Sequence, residues 1–156
     1  MSVGSEDVFS FFYQGGKETY FDGDTLNLDA PDGFGENREY VSSVKMIKAF
    51  EYCLENFDFD FLLRTSASTY VNYNSLIKLV DNLSVEDFYY GGSVGGKYWG
   101  DEWIPWVLGH SVLLSKKFVE LVIKNKTLFL DFKYIDDVAL GALAKNLKIK
   151  PKKLPL

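Results

Sequence analysis

The chain has 156 residues, of which 47% are hydrophobic and 25% are charged, and its formal net charge is −5. This length and composition exclude disorder of the whole chain and suit a single domain with a real core. The acidic balance argues against nucleic acid as a partner, because phosphate binding draws its affinity from clustered Lys and Arg.

Targeting signals are not evident in the sequence. No run approaches the roughly 18 apolar residues of a membrane-spanning helix, and the first residues lack the basic and apolar regions of a secretion signal. The single cysteine, Cys53, excludes an intrachain disulfide and fits a reducing compartment. We therefore predict one domain over residues 1–156, without a transmembrane segment and in the cytoplasm, with a solvated basic tail at about 148–156.

Apolar runs, turn residues and helix caps predict strands that alternate with helices. Strands are predicted at 8–13, 24–29, 59–63 and 112–114. Helices are predicted at about 40–56, from Asn74 or Ser75 to about 80, at 115–124 and at 136–147. Five glycines in the ten residues 91–100 predict a mobile or tightly folded loop. The alternation favours an α/β fold with a mostly parallel mixed sheet flanked by helices.

The first candidate for a ligand site is the loop that follows the strand at 59–63, because ligands of open α/β sheets bind beyond the C-terminal ends of strands. Residues 62–72 read LLRTSASTYVN, an apolar strand followed by a run of small and hydroxyl residues. Three further segments stand out, namely DTLNLDAPDGFGENREY from residue 24, GHSVLLS from residue 109 and DDVALG from residue 136.

Taken together and in this order, the four segments resemble the galactosyltransferase and fringe-like glycosyltransferases of the GT-A type, the β-1,3-galactosyltransferase family. LLRTSASTYVN is similar to the family's strand, basic residue, acidic triplet and aromatic-Val-Asn. GHSVLLS and DDVALG are similar to its GxGYxLS and EDVxxG motifs. The resemblance spans nearly the whole chain and implies a GT-A-like fold with a nucleotide-sugar site. The family's first nucleotide-binding strand would precede Val8, so the chain resembles a minimal form.

The donor site departs from the family pattern at its metal ligands. The acidic triplet falls on Ser66, Ala67 and Ser68, none of which supplies an anionic oxygen. The resemblance implies Mn²⁺ beside the diphosphate of a UDP-sugar, yet the acids that would bind it are missing here, so we assign no metal ligand. Arg64 would take the place of the cation, since a guanidinium grips phosphate oxygens at two points, although a surface Arg after a strand is equally common. Thr65, Ser66 and Ser68 would add hydrogen-bond donors to the donor site.

Asp137 is the candidate catalytic residue. Inverting sugar transfer needs a carboxylate that takes the proton of the acceptor hydroxyl, and the family's catalytic Asp, carried over by the resemblance, falls on Asp137. The alternative is that Asp136 and Asp137 only cap the last helix, since Asp is favoured at helix starts.

The acceptor site is predicted in the aromatic segment YWGDEWIPW and the turn after it. Aromatic faces pack against the apolar faces of sugar rings while nearby acids bind hydroxyls. Anchoring of the loop to the core would explain the same rings. The predicted acceptor residues are Trp99, Asp101, Glu102, Trp103, Trp106, Gly109 and His110.

These features lead to one hypothesis and one rival. The leading hypothesis is a glycosyltransferase that moves a hexosyl or N-acetylhexosaminyl group from a UDP-sugar to a glycan acceptor with inversion. The rival is a non-catalytic module that binds a glycan or a nucleotide sugar and kept the fold after losing the metal ligands. A purely structural protein would leave the aromatic segment unexplained, and no nucleophile-elbow motif supports a hydrolase built on His110.

Overall fold

The fold is described from a computed structural model that covers residues 8–33 and 37–154. Within these ranges the strands are Phe12–Gly16 (β1), Tyr20–Asp22 (β2), Thr25–Asp29 (β3), Phe61–Arg64 (β4), Tyr90–Gly92 (β5), Val94–Trp99 (β6), Glu102–Val107 (β7), Val112–Ser115 (β8) and Lys152–Lys153 (β9). The helices are Arg38–Asn56 (α1), Tyr73–Val80 (α2), Lys116–Lys124 (α3), Lys126–Asp131 (α4) and Asp136–Asn146 (α5).

The described strands form three sheets. The first has the order β1-β3-β2, the second β4-β8-β5-β9, and the third is the two-stranded ribbon β6-β7. Two pairings are parallel, β1 with β3 and β5 with β9, and the other four described pairings are antiparallel. The α/β class is confirmed, but the prediction of a mostly parallel sheet is not.

A long hairpin explains the antiparallel pairings of the second sheet. β5 continues into β6 after Ser93, the chain reverses at Gly100, whose φ of 60° is left-handed, and β7 leads back into β8. β4 and β5 both run antiparallel to β8, so they run parallel to each other with β8 between them. The hairpin therefore returns the chain as β8 between β4 and β5, so both pairings of β8 are antiparallel.

The glycines at 91–100 lie mostly in strands rather than in the predicted loop. They serve close packing: a side chain at Gly92 would collide with the carbonyl of Ser111, and one at Gly96 with the indole of Trp103. The return strand departs from regular pairing at Leu108–Ser111, which we call the return turn. The N–H of Leu108 donates to the carbonyl of Ser93 at 2.8 Å, and that of Ser111 donates to the carbonyl of Leu108 at 3.0 Å.

The main core lies between the second sheet and helices α1, α3, α4 and α5. Buried side chains from all of these helices and from β5, β7 and β8 form one cluster. Ser115 caps α3 as predicted, and its hydroxyl accepts the N–H of Phe118 at 3.3 Å. The cap of α2 is neither Asn74 nor Ser75, as predicted, but Asn72, two positions before Asn74, whose side chain accepts the N–H of Ser75 at 3.1 Å.

The end of the chain is part of the sheet rather than a solvated tail, as far as residue 154. β9 pairs with β5, and the N–H of Leu154 donates to the carbonyl of Gly92 at 3.0 Å. Leu154 is buried against Tyr89 and Leu113. The basic residues Lys152 and Lys153 are exposed on this edge strand, where charged side chains are usual. Within the described ranges, none of the helices combines the length and the apolar character that a bilayer crossing requires.

Candidate functional site

The candidate site forms where the end of β4, the return turn and the start of α5 meet. Arg64 is the last residue of β4, and its Nη1 donates to the carbonyl of Gly109 at 2.6 Å. Its Nη2 donates to Oδ2 of Asp136 at 2.5 Å. The two side chains of this ion pair are 19% and 12% exposed, so the pair is largely shielded from water. Arg64, predicted from the sequence as a phosphate ligand, therefore already has two protein partners.

Asp137 is held by backbone donors on both of its carboxylate oxygens. Oδ2 accepts the N–H of Gly109 at 3.0 Å, and Oδ1 accepts the N–H of Val138 at 2.8 Å. Each oxygen keeps a further lone pair that can accept a hydrogen bond. Asp137 as a residue is only partly buried.

Asp136 has a structural role at the same helix start. Its Oδ1 accepts the N–H of Asp137 at 3.0 Å, and its own N–H donates to the hydroxyl of Ser42 at 3.3 Å. The N-cap residue is Ile135, which has no side-chain acceptor. Both acids therefore cap the helix, as the alternative from the sequence predicted, since each carboxylate accepts a backbone N–H of the first helical turn.

The surroundings of Asp137 favour a strong base. Burial raises the pKa of Asp137, and the charge of Asp136 raises it further. The amides of Gly109 and Val138 and the charge of Arg64 offset part of this rise. Burial disfavours the charged form of Arg64, but its acidic neighbours, with Asp136 foremost, outweigh burial and raise the pKa of Arg64.

Helix α5 reaches the site because it lies along the free edge of β7. Asp137 contacts Gly109, and two turns further on Nζ of Lys145 donates to the carbonyl of Trp103 at 2.6 Å. Between them, a methyl group at Gly141 would lie 2.5 Å from the carbonyl oxygen of Pro105. The contact of Asp137 with the return turn therefore depends on a glycine one helical turn away.

Helix α5 covers one edge of β7, and on that edge neither Pro105 nor Val107 has an unpaired backbone N–H. Pro105 has no N–H to satisfy, and the N–H of Val107 donates to the buried phenol of Tyr90 at 2.8 Å. Burial raises the pKa of Tyr90, and the nearby charge of Asp137 raises it as well. Tyr90 thus stays a neutral phenol beneath the site.

The loop after β4 presents only neutral oxygens at the positions of the family's acids. The hydroxyl of Ser66 lies 2.7 Å from that of Thr69 and 3.3 Å from that of Ser68, and all of them are exposed. The hydroxyl of Thr65 donates to the carbonyl of Ser66 at 3.1 Å. Divalent cations such as Mn²⁺ are bound by anionic carboxylates in sites of this kind. The residues present therefore do not fit the metal that the family resemblance implies.

This hydroxyl loop stands at one end of a large cleft between β1 and β4. The cleft has a volume of about 1440 Å³, and its lining includes residues 8–13, residues 56–67 and several side chains of α1 and α2. Arg64, Thr65 and Ser66 lie on the lining, and so does Tyr13, whose hydroxyl helps to raise the pKa of Arg64. The volume exceeds that of typical small-molecule sites, so the cleft has room for a nucleotide sugar.

The three tryptophans do not share one face, because β6 and β7 alternate their side chains. Trp99 and Trp106 lie on the same side, with ring centroids 5.8 Å apart, and Trp99 also contacts Tyr134 at 4.9 Å. Tyr134 lies two residues before Asp136, the first residue of α5, so this pair is on the side of the hairpin that faces the candidate site. Trp103 lies on the other side, packs against Tyr98 at 5.0 Å and is 46% exposed.

The polar residues predicted for the acceptor site are spread over both ends of the hairpin. Asp101 and Glu102 are exposed at the hairpin tip, where Glu102 forms an ion pair with Lys145 at 2.8 Å. Gly109 and His110 lie at the other end in the return turn, and His110 is exposed. The structure therefore brings Gly109 together with Arg64 and Asp137, and it places Asp101 and Glu102 elsewhere.

Three contributors to the site escaped the sequence reasoning. Gly141 was noticed only as part of a motif, although a glycine in the middle of a predicted helix signals close packing. Tyr134 lies in a segment without a motif, and Ser42 lies in the helix after the family-like segment from residue 24, where no pattern in the sequence singles it out. Their roles arise from the packing of α1 and of the segment 132–135 around the start of α5.

Comparison with known protein families agrees with this architecture. The model of the family described as galactosyltransferase matches residues 16–155, which include the β4 loop, the return turn and the start of α5. No individual curated protein matches the chain. Because the family model covers most of the chain, the protein belongs to the galactosyltransferase family.

Proposed function

We propose that this protein is an inverting glycosyltransferase that moves a hexosyl or N-acetylhexosaminyl group from a UDP-sugar to a glycan acceptor. Membership in the galactosyltransferase family supports glycosyl transfer between a sugar donor and a sugar acceptor. The single observation that carries the mechanism is Asp137, a partly buried carboxylate of raised pKa held by two backbone amides at the mouth of the site.

In the proposed reaction, Asp137 accepts the proton of the acceptor hydroxyl. The acceptor oxygen forms a bond with the anomeric carbon while the bond from that carbon to the diphosphate breaks, and UDP leaves with the bonding electrons. A carboxylate whose pKa is raised is a better proton acceptor, provided that it is still ionised at the working pH. The amides of Gly109 and Val138 keep it oriented throughout the reaction.

We place the donor in the cleft between β1 and β4, next to the hydroxyls of Thr65, Ser66 and Ser68. We place the acceptor on the side of the hairpin that carries Trp99 and Trp106, which adjoins the start of α5 through Tyr134. No step of this proposal passes through a metal ion, because Ser66, Ala67 and Ser68 do not offer its ligands.

The second candidate function is a module that binds a nucleotide sugar or glycan without catalysis. The observation that favours it is the neutral loop at Ser66–Ser68, because loss of the metal ligands removes one means of stabilising the leaving diphosphate. Asp137 and its two amide contacts favour the enzyme.

The test is release of UDP from a panel of UDP-sugars, UDP-galactose, UDP-glucose and their N-acetyl derivatives, with oligosaccharide acceptors. We expect Asp137→Asn to lower transfer by roughly 10²–10⁴, the usual range of general-base catalysis, with UDP binding retained. Asn can accept only one of the two amides that Asp137 now accepts, so a stability loss of about 1 kcal/mol is expected and should be measured separately by urea unfolding.

Asp131→Asn is the charge-matched control, since Asp131 is exposed at the end of α4, and it should leave transfer unchanged. Full transfer in Asp137→Asn would remove Asp137 from the reaction. Binding of UDP-sugars without turnover by the parent protein, for every donor and acceptor in the panel, would favour the binding module.

A further inference from the structure

We propose that Arg64 is a positioning residue rather than a phosphate ligand: it clamps the return turn to the start of α5 and balances the charge of Asp136, so that Asp137 keeps its place and its charge. This inference rests on the proposed function in that it gives Arg64 a task in the action of Asp137. The placement itself is testable without any turnover.

The geometry supplies two routes from Arg64 to Asp137. Through the return turn, Nη1 binds the carbonyl of Gly109 at 2.6 Å while the N–H of the same residue donates to Asp137 at 3.0 Å. Through the helix start, Nη2 binds Asp136 at 2.5 Å, and Asp136 accepts the N–H of Asp137 at 3.0 Å. The two routes close a ring, so the start of α5, which carries Asp137, cannot move away from the return turn without stretching or breaking a contact of Arg64.

The packing of Gly109 shows how tightly Arg64 is seated. A side chain at Gly109 would collide with Nη1 of Arg64, and its β-carbon would also lie 3.3 Å from Oδ2 of Asp137. Nε of Arg64 is buried and has no hydrogen-bond partner among the described residues. One N–H of each Nη atom is engaged by a protein acceptor, the carbonyl of Gly109 or the carboxylate of Asp136, so a diphosphate could bind Arg64 only through the N–H groups that remain.

Charge balance gives the clamp a chemical consequence. Asp136 and Asp137 are adjacent carboxylates, and Arg64 of β4 is the charged group that opposes their repulsion. Two phenols also lie close to this cluster, that of Tyr90 on β5 near Asp137 and that of Tyr13 on β1 near Arg64. Neither of these carries a fixed positive charge, so removal of Arg64 leaves the charge of Asp136 unopposed.

The first experiment measures the titration of Asp137 by NMR in protein labelled with ¹³C at the Asp carboxyl carbons, with the signal assigned by its loss in Asp137→Asn. We expect the midpoint to move to higher pH in Arg64→Met and to lower pH in Asp136→Asn, because the two changes remove charges of opposite sign. Lys124→Met, which removes an exposed cation at the end of α3, should leave the midpoint unchanged. An unchanged midpoint in Arg64→Met would overturn the proposal.

The second experiment separates positioning from phosphate binding by calorimetric titration of UDP and by transfer kinetics. Positioning predicts an unchanged dissociation constant for UDP and a turnover number lowered by roughly 10–100-fold, as for a small misplacement of a catalytic group. Arg64→Lys should restore the midpoint of Asp137 but not the turnover number, since one ammonium group cannot hold both Gly109 and Asp136.

Weaker UDP binding in Arg64→Met, with the titration of Asp137 unmoved, would identify Arg64 as a phosphate ligand instead. If the parent protein shows no turnover, the proposed function fails, but the NMR titration and the UDP affinity still decide the role of Arg64. If Arg64→Met does not fold, two measurements remain as tests: the midpoint of Asp137 in Asp136→Asn, which should fall, and the UDP affinity of Arg64→Lys, which should not change. An unmoved midpoint in Asp136→Asn or weaker UDP binding by Arg64→Lys would overturn the proposal.

Discussion

Replacement of Gly141 by Ala tests whether the packing of α5 on β7 sets the geometry of the site. The added methyl group would lie 2.5 Å from the carbonyl oxygen of Pro105, 2.5 Å from Cβ of Trp106 and 2.9 Å from Cα of Trp106. Two of these three atoms belong to the backbone of β7, so no rotation of a side chain can relieve the collision. The helix or the strand has to move by several tenths of an ångström.

Two effects of opposite sign decide the outcome. Ala is favoured over Gly in a helix interior by about 1 kcal/mol. Overpacking of a dense interface costs about 1–3 kcal/mol, and a collision with backbone on two sides belongs at the upper end of that range. We therefore expect a net loss of about 1–2 kcal/mol, which corresponds to a fall in melting temperature of roughly 2–8 °C for a chain of this size.

Urea unfolding of the parent and of Gly141→Ala measures this difference. Ala142→Gly, at the next position of the same helix, is the matched control, because it reports the loss of helix propensity together with one buried methyl group. A gain of stability in Gly141→Ala would show that propensity prevails and that the close approach of α5 to β7 is not tight. In that case Gly141 would not be what allows Asp137 to reach Gly109.

Three further predictions concern the donor loop, the hairpin and the end of the chain. Because Ser66, Ala67 and Ser68 offer no anionic ligand, calorimetric titration should give the same dissociation constant for UDP with and without EDTA, and a strong requirement for manganese would contradict this. Trp99 adjoins the start of α5, while Trp103 lies on the other side of the hairpin. Trp99→Ala should therefore remove most of the tryptophan fluorescence response to oligosaccharides, and Trp103→Ala should remove little of it. A larger loss in Trp103→Ala would place the acceptor on the side of the hairpin that carries Trp103. Because Leu154 is only 8% exposed, Leu154→Ala should lower the unfolding free energy by about 2 kcal/mol in urea, and an unchanged value would restore the interpretation as a solvated tail.

The sequence alone determined some of the local elements, because their signals are local, although the first strand, predicted at 8–13, is found at 12–16 and the predicted loop at 91–100 forms strands. The periodic apolar residues of α1, the hydroxyl of Ser115 that caps α3 and the apolar run of β8 are all found close to their predicted positions. The family was also readable from the sequence, since four short motifs in a fixed order do not depend on how the strands pair. Each of these predictions depends only on residues that are close together in the sequence.

Only the tertiary structure decided the direction of the strands and the partners of the site residues. A central strand is apolar whether its neighbour is parallel or antiparallel, so the pattern of β8 does not reveal that the hairpin places it between β4 and β5. In the same way, the sequence does not show whether an Arg after a strand is available to bind phosphate or is already paired within the protein. In the fold, one N–H of each Nη atom donates to Gly109 or Asp136, which lie 45 and 72 residues further along the chain. Contacts between residues so far apart depend on packing, which no local pattern encodes.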